Sequence, residues 1–343
     1  MERADKDLAF LLRYENIAWY EEGKVRILDR RIYPIRTEFV TCTRHEQVAQ
    51  AIADMVTQSG GPYTAAAMGM ALAAYECRDK GQAEQLDYLE KAAYTLSHAR
   101  PTTVAKMVTT VNSTLEAAKQ AMQQGKNVVE SVFNRALEDL NDKYARIEKT
   151  GEFLAEKFPK NGTVMTQCFA ETIIGMMLRA CRKNGNEIKV ICPETRPYYQ
   201  GARLTASCVY DMGFDVTVIT DNMPGYVLKH KNVDVFTSAA DVISMDGYVV
   251  NKVGTFQIAL AAHHWGIPYY VTGTPNKAHP TIDTVEIEER DPSLVTDSLG
   301  TKTVLDGVKG FYPAFDITPP KLCDGVVTSK GIYPAFNLAS YYK

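Results

Sequence analysis

The sequence has no dominant charge of either sign, no CxxC pair, no long apolar run and no tandem repeat or low-complexity tract. Each absence removes a class of function. Its 38 basic and 41 acidic residues leave a net charge of -3, which excludes the global attraction on which nucleic-acid and anionic-membrane binders rely. Any anion must be bound locally. No stretch offers eighteen uninterrupted apolar residues, and no apolar h-region follows Met1 to Asp7, so a cytoplasmic protein with no membrane partner is expected. Seven cysteines, at 42, 77, 168, 181, 192, 208 and 323, are odd in number and scattered, as reduced thiols are. Among the six histidines the adjacent His263 and His264 would point to different faces of a helix. No metal and no cofactor are expected.

What is present is an ordinary globular composition, 45% hydrophobic and 23% charged, sufficient for a full core. At 343 residues two domains are the natural division. The segments Ile17 to Tyr20 and Lys24 to Leu28 read as short strands joined by Glu21-Glu22-Gly23, a hairpin turn. From His45 to about Lys149 the pattern is helical, with an alanine-rich run from Thr64 to Tyr75 and a charged helix from Val128 to Thr150 that leads to Gly151. Residues 1–150 are therefore expected to form a smaller domain of short antiparallel sheet plus helices. Beyond Lys160, apolar runs at Thr163 to Thr166, Ile188 to Cys192, Val216 to Thr220, Val233 to Thr237 and Tyr269 to Thr272 alternate with helical stretches. This is the grammar of a doubly wound parallel sheet, so residues 151–343 are expected to form a Rossmann-like α/β domain with its site at the carboxyl ends of the strands.

Three loops at those ends carry candidate chemistry. Cys168 ends the run Thr163-Val164-Met165-Thr166-Gln167-Cys168, and a helix is expected from Phe169. A thiol beside a helix N-terminus can have its pKa lowered toward neutrality, although the same position suits a small buried core residue. The loop from Pro193 to Arg203 is dense in charge and amide, and Arg196 and Gln200 offer donors for a sugar or phosphate; a solvated loop is the rival reading. Asp241 follows the strand at Val233 to Thr237, where burial would raise its pKa for general-acid work, or it caps a helix. Asn251, Lys252, Gly254 and Thr255 are expected to open a helix whose N–H groups and lysine cradle a phosphate.

These segments, in this order, resemble the 5-methylthioribose-1-phosphate isomerase family, related to ribose-1,5-bisphosphate isomerases and to regulatory subunits of translation initiation factor 2B. The resemblance spans nearly the whole chain. It rests on Trp19-Tyr20, Ala99-Arg100-Pro101-Thr102, Glu194-Thr195-Arg196-Pro197, Gln200-Gly201-Ala202-Arg203-Leu204-Thr205, Asp221-Asn222-Met223, Asn251 to Thr255, Ile287-Glu288-Glu289-Arg290 and Pro313 to Pro319. It implies a homodimeric, cytoplasmic isomerase of methionine salvage that converts a 5-modified aldose 1-phosphate to the ketose 1-phosphate. The small-molecule sugar phosphate is then the partner, and no nucleic acid is involved. By the same resemblance Cys168 and Asp241 are the catalytic pair. Counting back without gaps from Asn251-Lys252 selects Asp241 over Asp246. The implied binding residues are Gly60, Gly61, Arg100, Gln200, Asn251 and Lys252.

Four departures bear on the substrate. The family's Arg-Gly-Ala-Pro loop stands here as Ser59-Gly60-Gly61-Pro62, Ala239 replaces a glycine, Val242 replaces a frequent arginine, and Phe169-Ala170-Glu171 replaces a small, glycine-rich run. Loss of one charge-assisted contact weakens phosphate binding by about 1.5–3 kcal/mol unless another cation compensates. A non-catalytic regulatory or ligand-binding protein is the competing expectation.

Overall fold

The structure, a computed structural model, describes residues 3–100 and 104–343. The chain divides into two compact units, Met1–Ala145 and Arg146–Lys343. Among the described residues no helix is long and apolar enough to cross a membrane.

In the N-terminal unit the expected hairpin is β1 (Ala18–Glu21) and β2 (Lys24–Leu28), with Glu21 opposite Lys24 and Gly23 at φ +75° in the turn. A third strand, β3 (Phe39–Cys42), pairs antiparallel with β2. Four helices follow: α1 (His45–Ala53), α2 (Gly61–Glu76), α3 (Gln82–Ser97) and α4 (Val104–Gln123). Helix α2 is buried from Thr64 to Ala74 and packs against β1, α1, α3 and α4. Its alanines suit that position, because helices pressed on every side need small side chains and high propensity.

The helix α5 (Val128–Ala155) crosses the division between the units and runs through Gly151 rather than ending there. A Cβ at Gly151 would lie 2.7 Å from the backbone carbon of Met176. The glycine is thus a close backbone contact with the helix α6 (Thr172–Lys183), inside a helix expected to stop just before it.

The C-terminal unit is built on β4 (Thr163–Met165), β5 (Lys189–Pro193), β6 (Asp215–Ile219), β7 (Val235–Ala239), β10 (Tyr269–Thr272), β14 (Gly325–Thr328) and β15 (Gly331–Tyr333). Their spatial order is β6-β5-β4-β7-β10-β14-β15, parallel except for the antiparallel edge strand β15. Short helices α7 (Ala206–Asp211), α8 (Pro224–His230) and α9 (Thr255–His264) connect several of them. The chain first walks outward from β4 to β6, then returns to lay β7 on the other side of β4. That reversal is the topological switch point of a doubly wound sheet, where a crevice opens at the carboxyl ends of the strands. A second sheet joins β8 (Val242–Ile243), β9 (Val249–Lys252) and β13 (Phe315–Thr318) in antiparallel order β13-β9-β8. Between β10 and β13 lie the short helix α10 (Ser293–Thr296) and a ribbon of β11 (Asp297–Ser298) and β12 (Thr301–Lys302).

Candidate active site

Cys168 follows β4 and Asp241 follows β7, so the two stand on the pair of adjacent strands that define the switch point. The turn carrying Cys168 is held from both sides. Its N–H donates to Thr195 Oγ1 at 3.2 Å, and its carbonyl accepts from Thr205 Oγ1 at 2.5 Å. Thr195 is itself fixed, because Asp221 accepts from the N–H groups of Thr195 and Arg196 at 2.8 and 2.7 Å. Thr205 ends a π-helical turn, Gly201–Thr205, a local irregularity frequent at functional sites. Gly201 is required at its start: a Cβ there would fall 1.8 Å from the carbonyl oxygen of Pro193. Cys168, Glu171, Thr195 and Tyr199 all have φ between 52° and 64°, a conformation that costs about 1–3 kcal/mol per non-glycine residue and gathers where function constrains the backbone. Of the seven cysteines only Cys168 is part-buried, the other six being buried.

The charges around the sulfur differ from the sequence expectation. Helix α6 begins at Thr172, four residues beyond Cys168, so its dipole, which fades within the first turn, gives the thiol little help. Burial pushes the Cys168 thiol up to about 11; nearby Lys252 and Arg290 draw it down, and Asp241 draws it further up. At neutral pH it is a thiol, not a thiolate. Asp241 is exposed, so the burial expected to keep its carboxyl protonated is absent; the buried strand β7 ends at Ala239, two residues earlier.

Lys252 is 5% exposed and lies on β9, not in a helix. Its ammonium donates to the Tyr312 hydroxyl at 3.2 Å and lies 5.0 Å from the centre of the Phe315 ring. Burial depresses its pKa to about 8, while the Cys168 and Asp241 charges act in the opposite direction. Among the described residues no carboxylate forms an ion pair with this ammonium, although the charges of Asp241, Glu288 and Asp316 act on it through space.

The expected phosphate cradle at the start of α9 is already occupied. Asp316 accepts from the N–H groups of Gly254 at 2.7 Å and Phe256 at 3.1 Å, and burial pushes its carboxyl up to about 6. Asn251, buried beside Lys252, donates its amide to Thr255 Oγ1 at 3.0 Å. The Arg196 guanidinium is likewise engaged, donating to Tyr199 Oη and to the carbonyls of Asp297 and Val295. Among the described residues, Gln200 is buried with its Oε1 lacking a partner, as is Oε1 of Gln167 next to Cys168. Buried amide acceptors without donors suit a ligand rich in hydroxyl groups.

The structure therefore brings Cys168, Asp241 and Lys252 into one electrostatic neighbourhood, with Asn251 beside Lys252 and Gln200 at the turn that carries Thr205. Gly60, Gly61 and Arg100 belong to the N-terminal unit, where Gly60 is the N-cap of α2, Gly61 its first residue, and Arg100 follows α3. Pro101 and Thr102 of the expected motif lie outside the described residues. Sequence reasoning missed Arg290 and Tyr312 as members of the charged neighbourhood. Only the Ile287-Glu288-Glu289-Arg290 match hinted at the first. One group elsewhere, His45, Glu46 and Glu76, has metal-ligand spacing. Glu76 is already engaged there, by His45 N–H at 2.7 Å and the Tyr88 hydroxyl at 2.5 Å.

Comparison with known proteins places this geometry in context. The sequence profile of the Initiation factor 2 subunit family matches residues 58–335. The chain belongs to the Initiation factor 2 subunit family. Within and around that family it is 33% identical over 333 residues to methylthioribose-1-phosphate isomerase of Thermotoga maritima, covering 94% of this chain and 95% of that protein. It is 35% identical over 327 residues to methylthioribose-1-phosphate isomerase of Thermosipho africanus, covering 91% and 93%. Among solved structures it is similar to 5-methylthioribose 1-phosphate isomerase from Pyrococcus horikoshii, with a TM-score of 0.85, 28% identity and coverage of 98% and 97%. The translation initiation factor eIF-2B subunit delta from A. fulgidus aligns with a TM-score of 0.81, 32% identity and coverage of 93% and 96%. The mixed α/β fold expected from the sequence agrees with these likenesses.

Proposed function

We propose that this chain is an aldose-ketose isomerase that converts 5-methylthioribose 1-phosphate to the corresponding ketose 1-phosphate. The observation that carries the reading is that Cys168 and Asp241 lie just past the two strands flanking the switch point, in the electrostatic neighbourhood of a buried ammonium whose hydrogen-bond partner is neutral. A buried cation in an apolar wall is strongly stabilised by an arriving phosphate. Lys252 is assigned to that phosphate and Gln200 to a sugar hydroxyl. Gly60, Gly61 and Arg100 are assigned as further substrate-binding residues on the family resemblance, and the active species is a homodimer in the cytoplasm.

A furanose phosphorylated on its anomeric oxygen cannot open by simple mutarotation. In this mechanism Asp241 gives a proton to the ring oxygen as its bond to C1 breaks. Because Asp241 is exposed, the desolvation that favours its protonated form comes from the sugar that covers it. In its minor thiolate form, which Lys252 and Arg290 favour, Cys168 then takes the C2 proton, and the thiol so formed returns one to C1. The C2 hydroxyl loses its proton to Asp241 as the carbonyl forms, so both groups end as they began. A second route for the middle step passes hydrogen from C2 to C1 as hydride, with Cys168 lining its path. Turnover in deuterium oxide separates the two: deuterium at C1 identifies proton transfer, and its absence the direct shift.

The test of the activity is ketose formation from a panel of aldose 1-phosphates that includes 5-methylthioribose 1-phosphate. Turnover of another 5-modified pentose 1-phosphate alone would redirect the substrate, consistent with Ser59 replacing the family arginine. No turnover on any of them would favour the regulatory reading. Sedimentation analysis tests the homodimer.

A further inference from the structure

The antiparallel register of β9 and β13 sets Phe315 opposite Lys252, which puts both side chains on one face of the ribbon. The Lys252 ammonium is 5.0 Å from the Phe315 ring centre and 5.4 Å from that of Tyr312, and its hydrogen bond runs to the Tyr312 hydroxyl. Tyr312 is only 3% exposed. Its own backbone is pinned, because its carbonyl accepts from the N–H of Arg290 at 2.9 Å. The Arg290 guanidinium is paired on two sides with Glu288, at 2.8 and 3.1 Å, and lies 5.5 Å from the centre of the same Phe315 ring. Two cations thus share one aromatic ring. One is neutralised within the protein; the other has no ion-pair partner among the described residues and is held by ring faces and a phenol oxygen, with Cys168, Asp241, Glu288 and Asp316 acting on it through space.

A hydroxyl oxygen accepting from an ammonium favours the charged lysine, and aromatic faces do the same. Burial works against it. Without the phenol, the ammonium would lose its proton at lower pH and its long side chain would lose the anchor that fixes its direction.

We propose that Tyr312 is a positioning residue for this reaction, its hydroxyl and ring acting with Phe315 to hold the Lys252 ammonium where the phosphate of the substrate binds. The proposal rests on the reading that Lys252 meets that phosphate. It does not depend on which aldose carries it.

The experiment compares the full-length wild type with Tyr312→Phe, Phe315→Leu and Lys252→Met. Calorimetric titration with inorganic phosphate from pH 6.5 to 9.5 is set beside the pH profile of kcat/KM. Tyr312→Phe is expected to bind phosphate within about twofold of wild type at pH 6.5 and about tenfold more weakly at pH 9. Its alkaline limb of kcat/KM should move down by about one pH unit, through KM rather than kcat, as expected for loss of a hydrogen bond to a charged group. Phe315→Leu should move the limb in the same direction by less, and gives the answer if Tyr312→Phe folds poorly. A loss equal at every pH, or an unmoved limb, would overturn the proposal. So would phosphate binding in Lys252→Met that matches wild type, or its absence in wild type. If phosphate binds and follows the expected pH pattern while no aldose 1-phosphate is turned over, the isomerase reading fails and the role of Tyr312 stands.

Discussion

The two sides of the switch-point crevice are made differently. On the side of β4 and β5, Cys168 and Thr195 sit in a positive-φ backbone locked by Asp221, Thr205 and a π-helical turn. On the side of β9 and β13, the backbone is a regular antiparallel ribbon, and what is unusual is the charge it displays, with Lys252 and Arg290 crowded on Phe315. One side holds geometry under strain; the other holds electrostatic imbalance. The difference teaches that position and charge are controlled by separate elements, so changes on the first side should act on the chemical step and changes on the second on substrate affinity and pH.

The largest effects test the first half of that division. Cys168→Ser and Asp241→Asn should each lower kcat by about 10²–10⁴-fold, the usual range for an acid-base group, with KM within a few-fold in steady-state assays. Wild-type turnover in either variant would remove that residue from the pair. Lys252→Met tests the second half. It should raise KM by about 10–100-fold, as expected for loss of a charge-assisted contact, and abolish the alkaline limb while leaving kcat less affected. A fall confined to kcat would erase the distinction between the two sides.

Smaller effects sharpen it. Gly201→Ala forces a methyl group against the Pro193 carbonyl, and should destabilise the fold by about 1–3 kcal/mol while lowering kcat more than it raises KM. Chemical denaturation and steady-state kinetics read both. The smallest expected change is at Asp316, whose carboxyl is pushed up to about 6 by burial. An acid with a raised folded pKa gives the native state extra protons, so its contribution to stability is greatest at acid pH. That contribution declines as pH climbs from the usual carboxylate range through about 6. Asp316→Asn keeps an acceptor for the Gly254 N–H and should flatten this part of the stability-against-pH curve; a curve of unchanged slope would count against it.

Much of the sheet was legible because β4, β5, β6, β7 and β10 are short apolar runs set at regular intervals between helical segments. The positions of Cys168 and Asp241 just past β4 and β7 were legible for the same reason, as polar residues that end such runs. The ribbon of β9 and β13 was not. Its partners lie far apart in the chain, and Val249-Val250-Asn251-Lys252 and Phe315-Asp316-Ile317-Thr318 give no signal of pairing, so Lys252 was assigned to a helix start. Tyr312 could not be found without that register. The direction of the Cys168 shift was also hidden. Proximity to a helix suggests a lowered value, and only the delayed start of α6 at Thr172 together with the buried surroundings reverses it. Gly151 misled for a third reason: a glycine reads alike as a terminator and as a point of close backbone packing.

The brevity of β4 has a consequence for how the protein comes into being. Three residues long, it is flanked by Lys189–Ile191 on one side and Val235–Phe236 on the other, so it has little cohesion until both neighbours are in place. Pairings between distant parts of a chain are slow to form. During synthesis the β4 to β6 half can gather first, but the crevice beside Cys168 has only one wall until β7 leaves the ribosome and docks. A chain interrupted before that point carries the cysteine and the loop that grips it, but not Asp241.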